Sequence, residues 1–336
     1  APNPPARTLD MSRLGAVLAG EKRDLGDGPP VSLLLVQNTN PAVVAPESGR
    51  VREGLLREDL FTCVHAQFLT ETAKLADLIL PATTFLEHDD LYQASGHTFL
   101  QTARALIPAP GECRSNQVFI GQLAACPGQA HPAFALDAWA LVDRVLTDSG
   151  KPSADALHAA GWLDCAPPFE KAHFLDGFGH PDGRFRFAPD WAARGERHAT
   201  MPPLPDHQDV IEKADAEHPF RLVAAPARNF LNTTFGETPT SRRHEGRPTV
   251  LVHPAVCARL GIADGDVVTL GNTRGALRLH ARAGSGQLEG TLVVESQWPN
   301  DAFIDGIGIN LLVGAEPGFP SAGAAYHDTA VWLRPA

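Results

Sequence analysis

Cysteine is scarce and poorly placed for chemistry. The 336 residues hold five: Cys63, Cys113, Cys126, Cys165 and Cys257. No two form a C-x-x-C pair, which argues against a cysteine-ligated zinc or iron–sulfur site within the chain. The odd number argues against a complete disulfide set, and all five read as buried or incidental. No run approaches the about 18 apolar residues of a membrane-crossing helix. Positive charge is in deficit: 28 Lys and Arg stand against 39 Asp and Glu, for a net charge of −11. Such a surface repels a phosphate backbone, which excludes nucleic acid as the expected partner. A local anion site built from backbone N–H groups survives that charge. There is no tandem repeat and no low-complexity tract. The start, Ala1-Pro2-Asn3-Pro4-Pro5, lacks an initiator Met and reads neither as a signal peptide nor as a capped element. The cytoplasm is the expected location.

What is present is an ordinary globular composition, 43% hydrophobic and 20% charged. The length suggests two domains on a prior of roughly 100–200 residues each. The 30 Gly and 29 Pro predict long ordered loops and few long helices. Val31 to Val36 is a short apolar run that ends at Gln37-Asn38-Thr39-Asn40-Pro41. It reads as a buried parallel strand entering a polar loop. Leu60 to Val64, ending at His65, and Leu78 to Leu80, closed by Pro81, repeat the pattern. Thr70 to Ala76 between them is a short helix candidate with Thr70 as N-cap. Strands alternating with short helices imply an open α/β sheet, and ligands of such sheets bind outside the carboxyl ends of the strands. The polar loops Asn38–Pro41, His65–Phe68 and Ala82–Glu87 fall at those ends. Residues 115–125 and 135–147 show helical apolar spacing. Residues 150–215, rich in Pro, Gly, His and Asp, read as irregular connection with one hairpin at Gly183 to Phe187.

The tail changes character. Phe220–Ala225, Thr249–Val252, Asp266–Leu270, Ala276–Ala283 and Thr291–Glu295 read as strands separated by turn signals such as Asp264-Gly265-Asp266. Short strands at this spacing argue a β-barrel. His253-Pro254 followed by Ala255 to Leu260 and Gly261 reads as a short helix with a glycine stop. The expected division is 1–200 for the α/β domain, with an irregular connecting segment at 126–200, and 219–336 for the barrel.

Two stretches carry a family resemblance. Asn40-Pro41-Ala42, Glu71-Thr72-Ala73-Lys74-Leu75-Ala76-Asp77-Leu78-Ile79-Leu80-Pro81-Ala82-Thr83-Thr84-Phe85-Leu86-Glu87 and Ser95-Gly96-His97-Thr98-Phe99-Leu100-Gln101 resemble the third domain of molybdopterin oxidoreductases. That family includes formate dehydrogenases, nitrate reductases and dimethyl sulfoxide reductase. Val252-His253-Pro254, Leu260 to Val268, Asn272-Thr273-Arg274-Gly275, Gln297-Trp298 and Gly308-Ile309-Asn310-Leu311-Leu312 resemble its final domain. The resemblance implies an open, mostly parallel Rossmann-like sheet domain followed by a six-stranded double-psi-type barrel. It covers roughly residues 30–125 and 219–336, in the family's order.

The resemblance also implies a cofactor: molybdopterin guanine dinucleotide, two copies of which hold molybdenum or tungsten. Pyrophosphate needs N–H donors and a cation, guanine presents a donor edge to a carboxylate, and a pterin needs hydrogen bonds along its ring edge. Asn40 and Pro41 then approach a nucleotide, although an Asn-Pro turn explains them as well. His65 ends a strand where relatives make a polar contact, or is a satisfied histidine; neighbouring Ala66 stands where relatives can carry an acid. Asp77 reads guanine or caps a turn. Thr83 donates to phosphate or ribose. Glu87, His88, Asp89 and Asp90 suggest a metal site but read better as a solvated turn. In the barrel, Arg228 suits phosphate, and Asn229, Asn232 and Thr234 suit the pterin edge or pyrophosphate. Trp298, Asn310, Tyr326 and His327 match positions near the cofactor. No residue is assigned to the catalytic step or to the metal itself.

The family's amino-terminal region, with its metal ligand and frequent iron–sulfur motif, is not visible. The expectation is therefore a C-terminal part of an oxidoreductase, inactive alone. Its expected partners are the N-terminal half of the same enzyme and an electron-transfer subunit, and the isolated piece can pair with itself. The alternatives are a standalone pterin-dinucleotide subunit or carrier, and a relative with non-redox chemistry.

Overall fold

The computed structural model describes residues 7–126, 131–195, 198–199, 201–204, 206, 211–320 and 323–336. Two compact units emerge from it. The first joins Ala1–Val64, Leu69–Leu78 and Asp190–Ala336; the second joins His65–Phe68 and Ile79–Pro189. Each is described by itself.

The first unit opens with short helices α1 (Leu14–Leu18) and α2 (Lys22–Leu25), followed by strand β1 (Leu33–Gln37). Helices α3 (Pro41–Val44) and α4 (Ser48–Leu55) lead to β2 (Phe61–Ala66), and β3 (Leu78–Pro81) completes a parallel sheet in the order β1-β2-β3. Pro41 starts α3 because its missing N–H would have no partner in the first turn anyway. Leu18, Ala42, Ala45, Val51, Leu55 and Leu60 form the core beneath. Gly54 lets α1 approach α4: a Cβ there would stand 2.5 Å from the Cβ of Leu18. The strands lie near their expected places, but β1 is only partly buried: Val36 is 4% exposed and Leu33 64%, in an edge strand of a three-stranded sheet. The helix expected at Thr70–Ala76 is a single 3-10 turn, Ala73–Leu75, with the Thr70 hydroxyl accepting from the Ala73 N–H.

In the second unit, β4 (Asp90–Gln93) and β5 (Phe99–Ala103) pair antiparallel, and β6 (Leu163–Asp164) adds to β5. Helices α5 (Asn116–Ala125) and α6 (Ala138–Asp148) form where the spacing puts them. Stretch 150–215 departs from expectation. It contains α7 (Ala154–Ala160) and α8 (Phe169–Ala172), and Gly183–Phe187 forms no hairpin. Ser153 caps α7 through the Ala156 N–H, and Gly161 at φ 83° stops it. Leu157 and Ala154 bury against Leu100 and Leu146. Local capping and burial outweigh a composition that reads as loop.

The remainder of the first unit is the barrel: β7 (Phe220–Val223), α9 (Pro239–Glu245), β8 (Thr249–Val252), α10 (Pro254–Leu260), β9 (Val267–Asn272), β10 (Gly275–Ala283) and β11 (Thr291–Val294). The two-residue strands β12 (Pro317–Gly318) and β13 (Gly323–Ala324) pair with each other, and β14 (Thr329–Pro335) closes the barrel in the order β10-β8-β11-β7-β14-β9. The pairs β8/β10 and β7/β11 are parallel and the others antiparallel. Alternate residues point inward, so Leu222, Val250, Val252, Val268, Leu270, Leu292 and Val294 are wholly buried. Each contributes about 1.5–3 kcal/mol of burial. This core fixes the roots of the loops that follow the strands.

Candidate functional site

The candidate residues fall into three groups. The first lies inside the first unit, where the loop after β1 meets the barrel. Asn40 is 3% exposed. Its Nδ2 donates to Glu71 Oε2 at 2.8 Å, and its Oδ1 accepts from the Thr72 N–H at 3.2 Å and the Thr72 hydroxyl at 2.7 Å. The Thr72 Oγ1 in turn accepts from the Ala42 N–H at 3.0 Å. Pro41 is buried as the first residue of α3. Asn310, 1% exposed, donates from Nδ2 to Val43 O at 3.0 Å and Val44 O at 2.9 Å. The Tyr326 hydroxyl donates to Val44 O at 2.9 Å, and burial pushes that phenol above its usual range. These side chains therefore satisfy the last carbonyls of a one-turn helix, which has none of its own partners for them. The Asp77 Oδ2 accepts from the Thr62 N–H at 2.7 Å, tying the start of β3 to the start of β2. Asp77 thus stands at the amino end of its strand, with Oδ1 facing no partner among the described residues.

The second group is the loop after β7. Ala227 and Phe230 are buried and anchor it. Its tip is a tight turn in which Leu231 and Thr234 exchange both backbone hydrogen bonds, at 3.1 and 2.9 Å. Asn232 (φ 50°) and Phe235 (φ 69°) are left-handed, which fixes the turn's shape. Asn229 is held: its N–H and Nδ2 both donate to Glu245 Oε1, at 2.5 and 2.8 Å. Arg228, Asn232 and Thr234 are exposed, and among the described residues their side chains have no partner. Trp298, 4% exposed, meets the Phe230 ring edge-on at 4.9 Å and supports the loop from below. His327, next to Tyr326, is exposed.

The third group belongs to the second unit. His65 is 1% exposed, stacks on Phe119 at 4.8 Å and places Nε2 3.0 Å from Arg114 O. The Thr83 Oγ1 lies 2.8 Å from His88 Nδ1, and His88 Nε2 lies 3.5 Å from Asp90 Oδ2. Thr83, His88, Arg114 and Gln117 line a cavity of about 700 Å³ at the carboxyl end of β3. Among the described residues no three His, Cys, Asp or Glu side chains are grouped to hold a metal.

Sequence reasoning missed Glu71, Thr72, Glu245 and Asn300 as structural partners of the site. Glu71-Thr72 lies inside the family-like stretch Glu71 to Glu87, where it reads as a helix start. Asn300 is a single amide in a loop and carries no local signal.

A pterin dinucleotide needs a cation and donors for its pyrophosphate, and donors and acceptors for its ring edge. The guanidinium, amide and hydroxyl of Arg228, Asn232 and Thr234 supply that set on a backbone already fixed. Elsewhere in the same unit, Ser296 Oγ, Asn300 Oδ1 and Asn310 Oδ1 are buried without a hydrogen-bond partner among the described residues. The residues present fit the group.

Comparison with known proteins agrees. Residues 22–125 match the family model "Molybdopterin oxidoreductase", and residues 220–330 match "Molydopterin dinucleotide binding domain". The chain is 33% identical over 300 residues to "Probable oxidoreductase YoaE" of Bacillus subtilis (strain 168), covering 88% of this chain and 42% of that protein. It is 24% identical over 326 residues to "Nitrate reductase" of Klebsiella oxytoca, covering 90% of this chain and 36% of that protein. The solved structure "Acetylene Hydratase from Pelobacter acetylenicus" shares the fold with a TM-score of 0.78 at 19% identity, over 97% of this chain and 46% of that one. The chain therefore spans about two fifths of the length of the curated relatives it matches. Two matched domains in the family's order, on a fold of the same kind, make this chain a member of the molybdopterin oxidoreductase family, with the dinucleotide-binding domain as its barrel.

Proposed function

We propose that this chain is the C-terminal, cofactor-binding part of a molybdenum or tungsten oxidoreductase that uses bis-molybdopterin guanine dinucleotide. The observation that carries the reading is the loop after β7, which presents Arg228, Asn232 and Thr234 on a fixed turn with nothing in the described structure to pair with them. Arg228 pairs with a pyrophosphate oxygen. Asn232 and Thr234 bond the pterin edge or the same pyrophosphate. Trp298 supports the loop through Phe230, and the exposed His327 is a further candidate contact. When bound, the metal–pterin group supplies two-electron chemistry; the residues here bind and orient it and keep water from its buried edge.

Asn40, Pro41, Asn310 and Tyr326 serve the same end from beneath, by fixing the backbone of α3 and the loop before it. A bidentate guanine contact needs both carboxylate oxygens. Asp77 Oδ2 accepts from the Thr62 N–H, but each carboxylate oxygen can accept a second bond, so we keep Asp77 as the guanine reader as well as the tie between β2 and β3. His65 and Thr83 belong to the wall of the second unit, at strand ends where such sheets meet ligands.

The relatives' greater length favours a piece of a larger enzyme over a standalone carrier, with the N-terminal half, any iron–sulfur cluster and an electron-transfer subunit supplied by the rest. The substrate stays unassigned. The test is to purify the chain together with that remainder, denature it and analyse what is released. Pterin together with GMP supports the reading. Release of another nucleotide, or of neither component, overturns it.

A further inference from the structure

We infer that Glu71 is a positioning residue that locks the loop after β1 to the loop after β7, so that the two candidate ligand loops of the first unit move as one. Its carboxylate bridges two elements far apart in sequence. Oε2 accepts from Asn40 Nδ2 at 2.8 Å, and Oε1 accepts from the Asn300 N–H at 2.9 Å. Asn300 also reaches back, with Nδ2 3.4 Å from Ala42 O. Asn300 begins a 3-10 turn directly after Trp298-Pro299. Trp298 carries the contact onward to Phe230 at 4.9 Å. Pro299 carries it to Gly236: a Cβ on that glycine would stand 3.3 Å from Pro299 Cγ. Phe230 and Gly236 bracket the turn that bears Asn232 and Thr234. An unbroken path of hydrogen bonds and packed rings thus runs from Asn40 through Glu71 to that turn.

Glu71 is the charged group on the path: it accepts from both sides at 2.8 and 2.9 Å, whereas the second polar bridge, Asn300 Nδ2 to Ala42 O, is longer at 3.4 Å. Removing it leaves the Asn40 amide, 3% exposed, without its acceptor and frees the Asn300 backbone. Buried polar groups that lose a partner reopen toward water. Local opening of the two loops then becomes cheaper together, not separately.

The inference rests on the cofactor reading only for its purpose; the coupling itself is testable without ligand. The experiment is amide hydrogen exchange on the full chain, reading residues 40–44 and 227–235, with α6 as internal control. Glu71→Ala should speed exchange about tenfold in both segments and leave α6 unchanged, as expected for one buried hydrogen bond lost on each side. Glu71→Gln keeps one carbonyl acceptor and should restore part of the protection in both segments in parallel; recovery in one segment alone would count against the coupling. A rise confined to residues 40–44, with 227–235 unchanged in both variants, would overturn the coupling. So would an equal rise in α6, which would mark general loosening. Failure of the chain to bind any pterin or guanine nucleotide would sink the cofactor reading while leaving this result standing.

Discussion

At the scale of the residue, polar side chains that look alike in sequence do opposite work. Asn310 and Asn232 are both amides in family-matching stretches. Asn310 is 1% exposed and serves two carbonyls of α3, whereas Asn232 is exposed on a left-handed turn. Asn310→Ala should therefore cost roughly 2–3 kcal/mol in denaturant unfolding, because Val43 O and Val44 O lose their donor. Arg228→Ala should stay within about 0.5 kcal/mol in the same measurement. Tyr326 adds a pH signature. Burial raises its phenol pKa, so the folded state keeps the proton longer than the unfolded chain does. The stability it contributes is complete below the ordinary value of about 10 and is lost as pH rises from there through the folded value. Tyr326→Phe should lower stability at neutral pH by about 1 kcal/mol through the lost bond to Val44 O and flatten the alkaline decline, read from thermal melts across pH. The sequence identified these residues as mattering. It could not say which were engaged internally, because that depends on partners such as Glu71 and the Val43 and Val44 carbonyls, remote along the chain.

At the scale of the element, the barrel was the most legible part. Its strands alternate buried and half-buried residues, as in β8 and β11, and its turns carry strong signals. The β1-β2-β3 sheet was legible in place but not in burial, since a short apolar run reads the same at an edge as in a centre. Helix α7 was hidden by a Pro- and Gly-rich neighbourhood, although Ser153 and Gly161 bound it. Ion pairs across elements were not legible at all. Arg13, just before α1, holds Asp24 of α2 through Nε at 2.5 Å and NH2 at 3.0 Å, and reaches Glu316 at 2.7 Å. The side chains of Arg13 and Asp24 are 9% and 5% exposed. Arg13→Met should cost about 3–5 kcal/mol by leaving the Asp24 carboxylate buried and uncompensated. Asp24→Leu in that background should recover part of the loss; a chemical-denaturation cycle of the two variants reads both.

At the scale of the molecule, membership of the family was legible because two motif-bearing stretches occur in order. Residues up to Val64 cluster with Leu69–Leu78 and the barrel, and the polar partners of the loop after β1 are Glu71, Asn300, Asn310 and Tyr326. An acidic molecule of net charge −11 is compatible with a phosphate ligand only where a local cation and donors are concentrated. The loop after β7 offers such a place through Arg228. The most direct measurement is a calorimetric titration of GDP, with ADP as comparison, into the full chain and its Arg228→Ala variant. Saturable binding of GDP is expected, with weaker binding of ADP and a loss of about tenfold or more in GDP affinity on removing the guanidinium with folding unchanged. No saturable heat with GDP, or equal affinity in the Arg228→Ala variant, would contradict it.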